Sequence, residues 1–203
     1  MTQTVELLLD LAAPNGYLAW YPLKDITART NSDLIVTPVF LGGMHRLTGN
    51  APPMLRDAQI KGKVEYAALE FRRFLERHDL NSFRMHPDLP FNSILLQRIL
   101  AAARTQEEMH SLVNVLQPAV WERNIDCSNA ESVRGVLSDA GLEADYLIDA
   151  ASTDSIKSKL VQNTQHAVDR GAFGIPTFFV GPEMWFGKER LEQIERYLVG
   201  DQP

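Results

Sequence analysis

The chain holds a single cysteine, Cys127, in 203 residues. One thiol cannot close an internal disulfide, and no CxxC pair occurs, so dithiol exchange and zinc-knuckle chemistry lack their apparatus. Cys127 sits just before an expected helix start, in Asn-Ile-Asp-Cys-Ser-Asn, and reads as a structural thiol. The histidines His45, His78, His86, His110 and His166 fall at no paired spacing of the kind that ligates a metal. No metal site is expected. Positive charge is also in short supply: 20 Lys and Arg face 26 Asp and Glu, a net charge of -6, with no basic stripe. A partner rich in phosphate, and nucleic acid in particular, is therefore not indicated. Long apolar runs are missing too, and the opening MTQTVELLLDL has only a short one with no basic flank. That pattern predicts neither export nor membrane spanning, and places the protein in the cytoplasm.

What is present is a 45% hydrophobic content, ample for a buried core. The apolar run over residues 5–11 suits a strand buried on both faces, and Ala12-Ala-Pro-Asn-Gly16 turns out of it. Tyr17, Leu18, Tyr21 and residues 23–26 recur at helical spacing, with Pro22 as an expected kink or boundary. Residues 33–40 read as a second strand, which completes a β-α-β unit with parallel strands. Near the other end, residues 171–180 enter an apolar strand through glycines, and Gly181-Pro182 returns the chain into Met184-Trp-Phe186 as a hairpin. Leu191, Ile194, Tyr197 and Leu198 then mark an amphipathic helix. Between the two units the pattern is helical, beginning with Val64, Ala67, Ala68, Phe71, Phe74 and Leu75. Thr105 with Glu108, and Ser128 with Glu131, match the box that caps a helix start, and Gly141 is an expected helix stop.

A β-α-β start and a β-β-α finish separated by helices is the thioredoxin arrangement with a helical insertion. The expected division is a discontinuous thioredoxin-like domain over residues 1–62 and 168–203, with residues 63–167 as the inserted helical domain. A doubly wound α/β fold would need more strand and helix alternation than the middle supplies. In such sheets a small anionic ligand sits beyond the strand ends at the next helix N-terminus, here the stretch from Ala12 to Gly16. Against this stands the plain reading that Pro14 simply opens a helix at its preferred first position. Ile175-Pro176-Thr177 is the second candidate, because a cis proline there would leave the Ile175 backbone free to pair with an extended ligand. An ordinary trans proline at a strand start is the alternative.

Taken together, Asp10-Leu-Ala-Ala-Pro-Asn-Gly-Tyr-Leu-Ala19, Leu41-Gly-Gly-Met, Thr48-Gly-Asn-Ala-Pro-Pro53, Pro90-Phe-Asn-Ser93, residues 171–180 and Phe186-Gly-Lys-Glu-Arg190 resemble the 2-hydroxychromene-2-carboxylate isomerase and kappa-class glutathione transferase family, in order and over nearly the whole chain. The DsbA-like disulfide oxidoreductases are more distant relatives of the same architecture. The resemblance implies glutathione as co-substrate and a small, aromatic second substrate, and it allows a homodimer. It places the family's reactive serine at Ala13 and a later serine at Gly16, so neither hydroxyl is present. A hydroxyl there would donate to the glutathione thiolate, and a methyl group cannot. Asn50 matches the family asparagine beside the sulfur, Lys63 a lysine of the glutathione site, and Ile175 with Pro176 the backbone clamp. Lys188, Glu189 and Arg190 stand where the family holds the γ-glutamyl end. Two functions follow: an isomerase or transferase that uses glutathione, or a catalytically silent relative that binds a thiol, a peptide or another protein. Tyr17, Trp20, Phe173, Trp185 and Phe186 are candidates for an aromatic-accepting wall, although aromatic residues at such spacings mostly serve the core. His45 is the histidine nearest the candidate site in sequence.

Overall fold

The structure, a computed structural model, describes residues 2–201. Strand β1 (Thr4–Leu9) lies at the centre of a four-stranded sheet ordered β2-β1-β3-β4. It pairs parallel to β2 (Asp33–Pro38), from Thr4 opposite Asp33 to Leu9 opposite Pro38. On its other side β3 (Thr177–Val180) runs antiparallel, and the hairpin to β4 (Glu183–Phe186) closes that edge. The first strand ends two residues earlier than its apolar run suggests, because Asp10 folds back to accept the Ala12 N–H and so turns the chain.

A parallel pair needs a crossover, and helix α1 (Pro14–Arg29) supplies it. Of the kink or boundary expected at Pro22, the boundary does not occur: Pro22 lies inside this helix, which runs on to Arg29. A proline inside a helix costs about 3 kcal/mol or more. Leu18, Trp20, Leu23 and Ile26 are all buried on the same helix, and at roughly 1.5–3 kcal/mol for each large apolar side chain they offset that cost. After β2 come α2 (Leu41–Thr48) and α3 (Pro53–Arg56). The helical stretch then comprises α4 (Lys63–Arg77), α5 (Ile94–Ala101), α6 (Gln106–Trp121), α7 (Ala130–Asp139), α8 (Ala144–Ala151) and α9 (Asp154–Asp169). After β4 a 3-10 turn (Lys188–Arg190) leads into α10 (Leu191–Leu198).

One hydrophobic core runs from Val5, Leu7 and Leu9 of the sheet through Leu18, Leu23 and Ile26 of α1 into Leu96, Leu100, Leu112, Leu116 and Leu147 of the later helices. On the opposite sheet face a smaller cluster joins Leu8, Ala13, Val39, Met44, Ala167, Ala172, Ile175 and Phe179. Helix α9 serves this face: Thr164 accepts the Phe40 N–H at 2.9 Å and Asn163 donates to the Pro38 carbonyl at 3.1 Å. It continues without a break past residue 167.

Candidate active site at the sheet end

The turn from β1 into α1 is held at every step. The Leu11 N–H donates to the Gln97 side chain at 3.0 Å, and the Leu11 carbonyl accepts the Trp121 indole N–H at 3.0 Å. The Ala12 N–H meets the Asp10 carboxylate at 2.9 Å, and the Ala13 N–H meets the Asp10 carbonyl at 3.0 Å. The second Asp10 oxygen accepts the Leu41 N–H at 2.7 Å, so one buried carboxylate ties the α1 turn to the start of α2. Burial pushes the Asp10 carboxyl above its ordinary value, and the hydrogen bonds from Ala12, Leu41 and Ser93 oppose that push in part. Gln97 also donates to the Leu9 and Val39 carbonyls, both at 2.8 Å, which pins the ends of β1 and β2 from α5. Asp10, Gln97 and Trp121 were not singled out from the sequence. A lone glutamine on the buried face of Ser93-Ile-Leu-Leu-Gln-Arg-Ile-Leu was the available signal.

Ala13 is the N-cap of α1 and contributes no side-chain cap; Pro14 follows at the first helical position. The Asn15 N–H has no hydrogen-bond partner among the described residues, so the helix presents an open donor at its positive end. Gly16 is an approach point: a β-carbon there would lie 2.9 Å from Leu9 Cδ1 and 3.6 Å from Ile175 Cγ2. Ala13 and Ile175 pack in the same cluster, and the Ile175–Pro176 bond is cis. Neither the N–H nor the carbonyl of Ile175 is paired among the described residues. Pro176 in turn accepts the Gly187 N–H at 2.9 Å, which draws the start of the last helix to this end of the sheet.

Asn50 belongs to the same neighbourhood but is already engaged: its amide donates to the Phe173 carbonyl at 2.7 Å, and its oxygen accepts the Ala51 N–H at 2.8 Å and Arg56 at 3.3 Å. Lys63 bonds Asp57 at 2.9 Å, and Arg56 bonds the same carboxylate at 3.0 Å. Arg56 first and Lys63 second hold the Asp57 carboxyl down at about 2. His45 is half-buried, and desolvation, then nearby Arg56, lowers its pKa.

Lys188 is buried, 4% exposed, with its ammonium paired to Glu189 and 4.9 Å from the centre of the Phe74 ring. Glu189 therefore carries a cation of the chain's own, while Arg190 is exposed. Lys188 and Glu189, but not Arg190, line a cleft of about 630 Å³ that runs along α1, α4 and α10 beside Pro22, Ile26, Phe74 and Arg77. The cleft wall does not include Ala13, Asn50 or Pro176.

The aromatic candidates separate cleanly. Tyr17 and Trp20 are core residues, bonded to Glu122 and Asn114 at 2.9 Å each. Trp185 packs edge-on to Tyr197. Phe173 and Phe186 remain 38% and 39% exposed, with ring centres 4.6 Å apart. Cys127 is buried and its thiol is pushed up to about 12, chiefly by desolvation. The His86 ring nitrogen close to it is engaged by the Ile125 carbonyl at 2.9 Å. The thiol is therefore not a nucleophile at neutral pH.

A sheet ordered β2-β1-β3-β4, an α1 N-terminus facing a cis-proline loop and a long helical segment before β3 define a thioredoxin-fold protein of the DsbA-like class. The chain belongs to the DSBA-like thioredoxin domain family, which it matches over residues 4–199. Among curated relatives it is 28% identical over 201 residues to a 2-hydroxychromene-2-carboxylate isomerase of Sphingobium xenophagum, covering 98% of this chain and 100% of that one. It is likewise 28% identical over 217 residues to glutathione S-transferase kappa 1 of Homo sapiens, covering 99% and 92%. A solved 2-hydroxychromene-2-carboxylate isomerase superposes with a TM-score of 0.83 at 23% identity, over 97% of this chain and 95% of that one. Isomerases and glutathione transferases are thus its enzyme relatives, and the shared fold extends through the helical segment.

Proposed function

We propose that the chain is a glutathione-dependent enzyme of its relatives' kind, with isomerisation of a small aromatic compound of the hydroxychromene carboxylate type as the first reading and transfer of glutathione to an electrophile as the second. The observation that carries it is the convergence of the α1 N-terminus, the unpaired Ile175 backbone and Asn50 at one end of the sheet. Glutathione supplies a sulfur nucleophile that adds to the substrate and leaves again. The Ile175 N–H and carbonyl pair with the extended cysteinyl segment, and Pro176 sets their direction. The Asn15 N–H and the positive end of α1 favour the thiolate over the thiol, the part a serine hydroxyl would otherwise share. Asn50 steadies the loop that holds Ile175 through Phe173, and Lys63 offers a cation to a ligand carboxylate. Calorimetry with glutathione tests the reading directly: saturable heat at millimolar concentration is expected, and its absence rejects the proposal.

A second reading, a relative that binds a thiol or peptide without turning it over, is favoured by two observations. Ala13 offers a methyl group where the resemblance sets the reactive serine, and Lys188 already neutralises Glu189, the carboxylate that the resemblance assigns to the glutathione ammonium. Glutathione binding without turnover of any electrophile or isomerisable substrate would select it.

A further inference from the structure

The stretch from Pro53 to Ala68 stands proud of the body, since every residue in it but Asp57 is exposed. Asp57 lies beneath and closes it into one loop: Arg56 and Lys63 bond its carboxylate at 3.0 and 2.9 Å, and its carbonyl accepts the Ile60 N–H at 3.0 Å. On the outside are large apolar side chains that the fold has not covered, Met54 at 66% exposure, Leu55 at 71%, Ile60 at 51% and Tyr66 at 59%. Single exposed apolar side chains are ordinary, whereas several on one loop mark a contact surface. None of the four lines the cleft beside α10, so they form a tip and not a groove. Charge segregates to the same place. Residues 46–66 carry four basic side chains, Arg46, Arg56, Lys61 and Lys63, against two acidic ones, a balance of +2 in a chain whose net charge is -6. Arg46 and Lys61 are exposed, and Arg56 with Lys63 shares a single carboxylate, so the positive surplus faces outward.

We propose that this loop is a docking surface for an anionic lipid bilayer. Met54, Leu55 and Ile60 enter the boundary between headgroups and acyl chains, Tyr66 sits at headgroup depth, and the basic side chains face lipid phosphates. Apolar burial gives the depth, and opposite charge draws a chain that is acidic elsewhere to the surface in one orientation. A second copy fits the loop less well, because a twofold contact sets the same +2 segment against itself. An acidic protein matches the charge but must offer a groove shaped to the tip, whereas lipid yields to it. Among the described residues no helix is long and apolar enough to cross a membrane, and the docking is to its surface. Docking brings the sheet-end site, joined to this loop by the bonds from Arg56 to Asn50 and from Asn50 to the Phe173 carbonyl, to the lipid boundary. The inference goes beyond the glutathione reading and does not depend on it.

Co-sedimentation of the full chain with vesicles of mixed phosphatidylglycerol and phosphatidylcholine tests the docking. Saturable binding is expected, roughly tenfold stronger than to pure phosphatidylcholine and largely lost in about 1 M salt, where charges are screened beyond about 3 Å. Leu55→Ser and Lys61→Glu are each expected to weaken it roughly tenfold. Val161→Ser, at a valine 67% exposed on α9, is expected to leave it unchanged. All three positions are exposed, and thermal melts equal to the parent's establish that the variants are folded. No binding of the parent, equal binding to the two lipid compositions, or undiminished binding of Leu55→Ser overturns the inference. Without vesicle binding, self-association in sedimentation velocity that Leu55→Ser abolishes assigns the loop to a second copy, and binding of polyglutamate that both variants weaken assigns it to an acidic protein; either result overturns the lipid docking. Calorimetry with glutathione reads the other proposal: vesicle binding without glutathione binding sinks the glutathione reading alone, and the reverse result sinks the docking alone.

Discussion

At position 13 the first turn of α1 meets the Ile175 loop through a methyl group, with the backbone on either side already fixed by Asp10, Gln97 and Trp121. A serine would add one donor to a preorganised site, and one such donor is worth about 2.7–4 kcal/mol of transition-state stabilisation. Ala13→Ser is therefore expected to raise kcat for glutathione-dependent turnover about a hundredfold, measured by steady-state assay; an unchanged kcat would show that position 13 does not face the sulfur. Asp10 makes a second prediction. Its folded pKa stands above the ordinary 3.8, so between those two values the native state binds the proton more tightly than the unfolded chain. Its contribution thus declines as pH rises from about 3.8 through the raised folded value. Asp57, held at about 2, acts oppositely: its contribution is present above 3.8 and is lost as pH falls towards 2. Urea unfolding across that acid range should show the parent losing stability relative to Asp10→Asn as pH rises, and a pH-independent difference would refute the assignment.

Helix α1 shows how an element combines readable and unreadable parts. Its start at Pro14 and its apolar spacing could be read in the sequence, but whether it stopped at Pro22 or ran through could not, because the compensating contacts come from other elements. Close packing on β1 makes Gly16 a tight point: a β-carbon there must displace the buried Leu9 Cδ1, so Gly16→Ala is expected to lower stability by about 1–3 kcal/mol through overpacking, and a thermal melt equal to the parent's would contradict that. The helix caps teach the same lesson at smaller cost. Thr105 caps α6 as its box predicts, accepting the Glu108 N–H at 3.2 Å. The second box slips by one residue: Ser128 is drawn to Asp126, which accepts its N–H and its hydroxyl, and Asn129 caps α7 instead. Either side chain can cap, and the competing carboxylate two residues earlier decided which one does.

Across the whole molecule, the helical segment is not an appendage with its own interior but the other half of one core, continuous from the sheet into α5, α6 and α8. Gln97 carries the polar side of that junction, satisfying two carbonyls and one N–H in a place without solvent. Gln97→Met keeps the volume and strands three buried backbone groups, so a loss of roughly 3–6 kcal/mol is expected in urea unfolding. A loss below about 1 kcal/mol would mean that water replaces the amide. Strand and helix order, the position of the α1 N-terminus, the Ile175-Pro176 loop and the missing hydroxyls were legible along the chain, because each depends on local spacing and on what one side chain can donate. Contacts between distant residues were not: the placing of the Lys188 ammonium over the Phe74 ring, the bond from Asn50 to the Phe173 carbonyl, and the three-point hold of Gln97 join segments far apart in sequence. Local chemistry named the candidate groups, and burial with long-range hydrogen bonding decided which were already engaged and which remained open to a ligand.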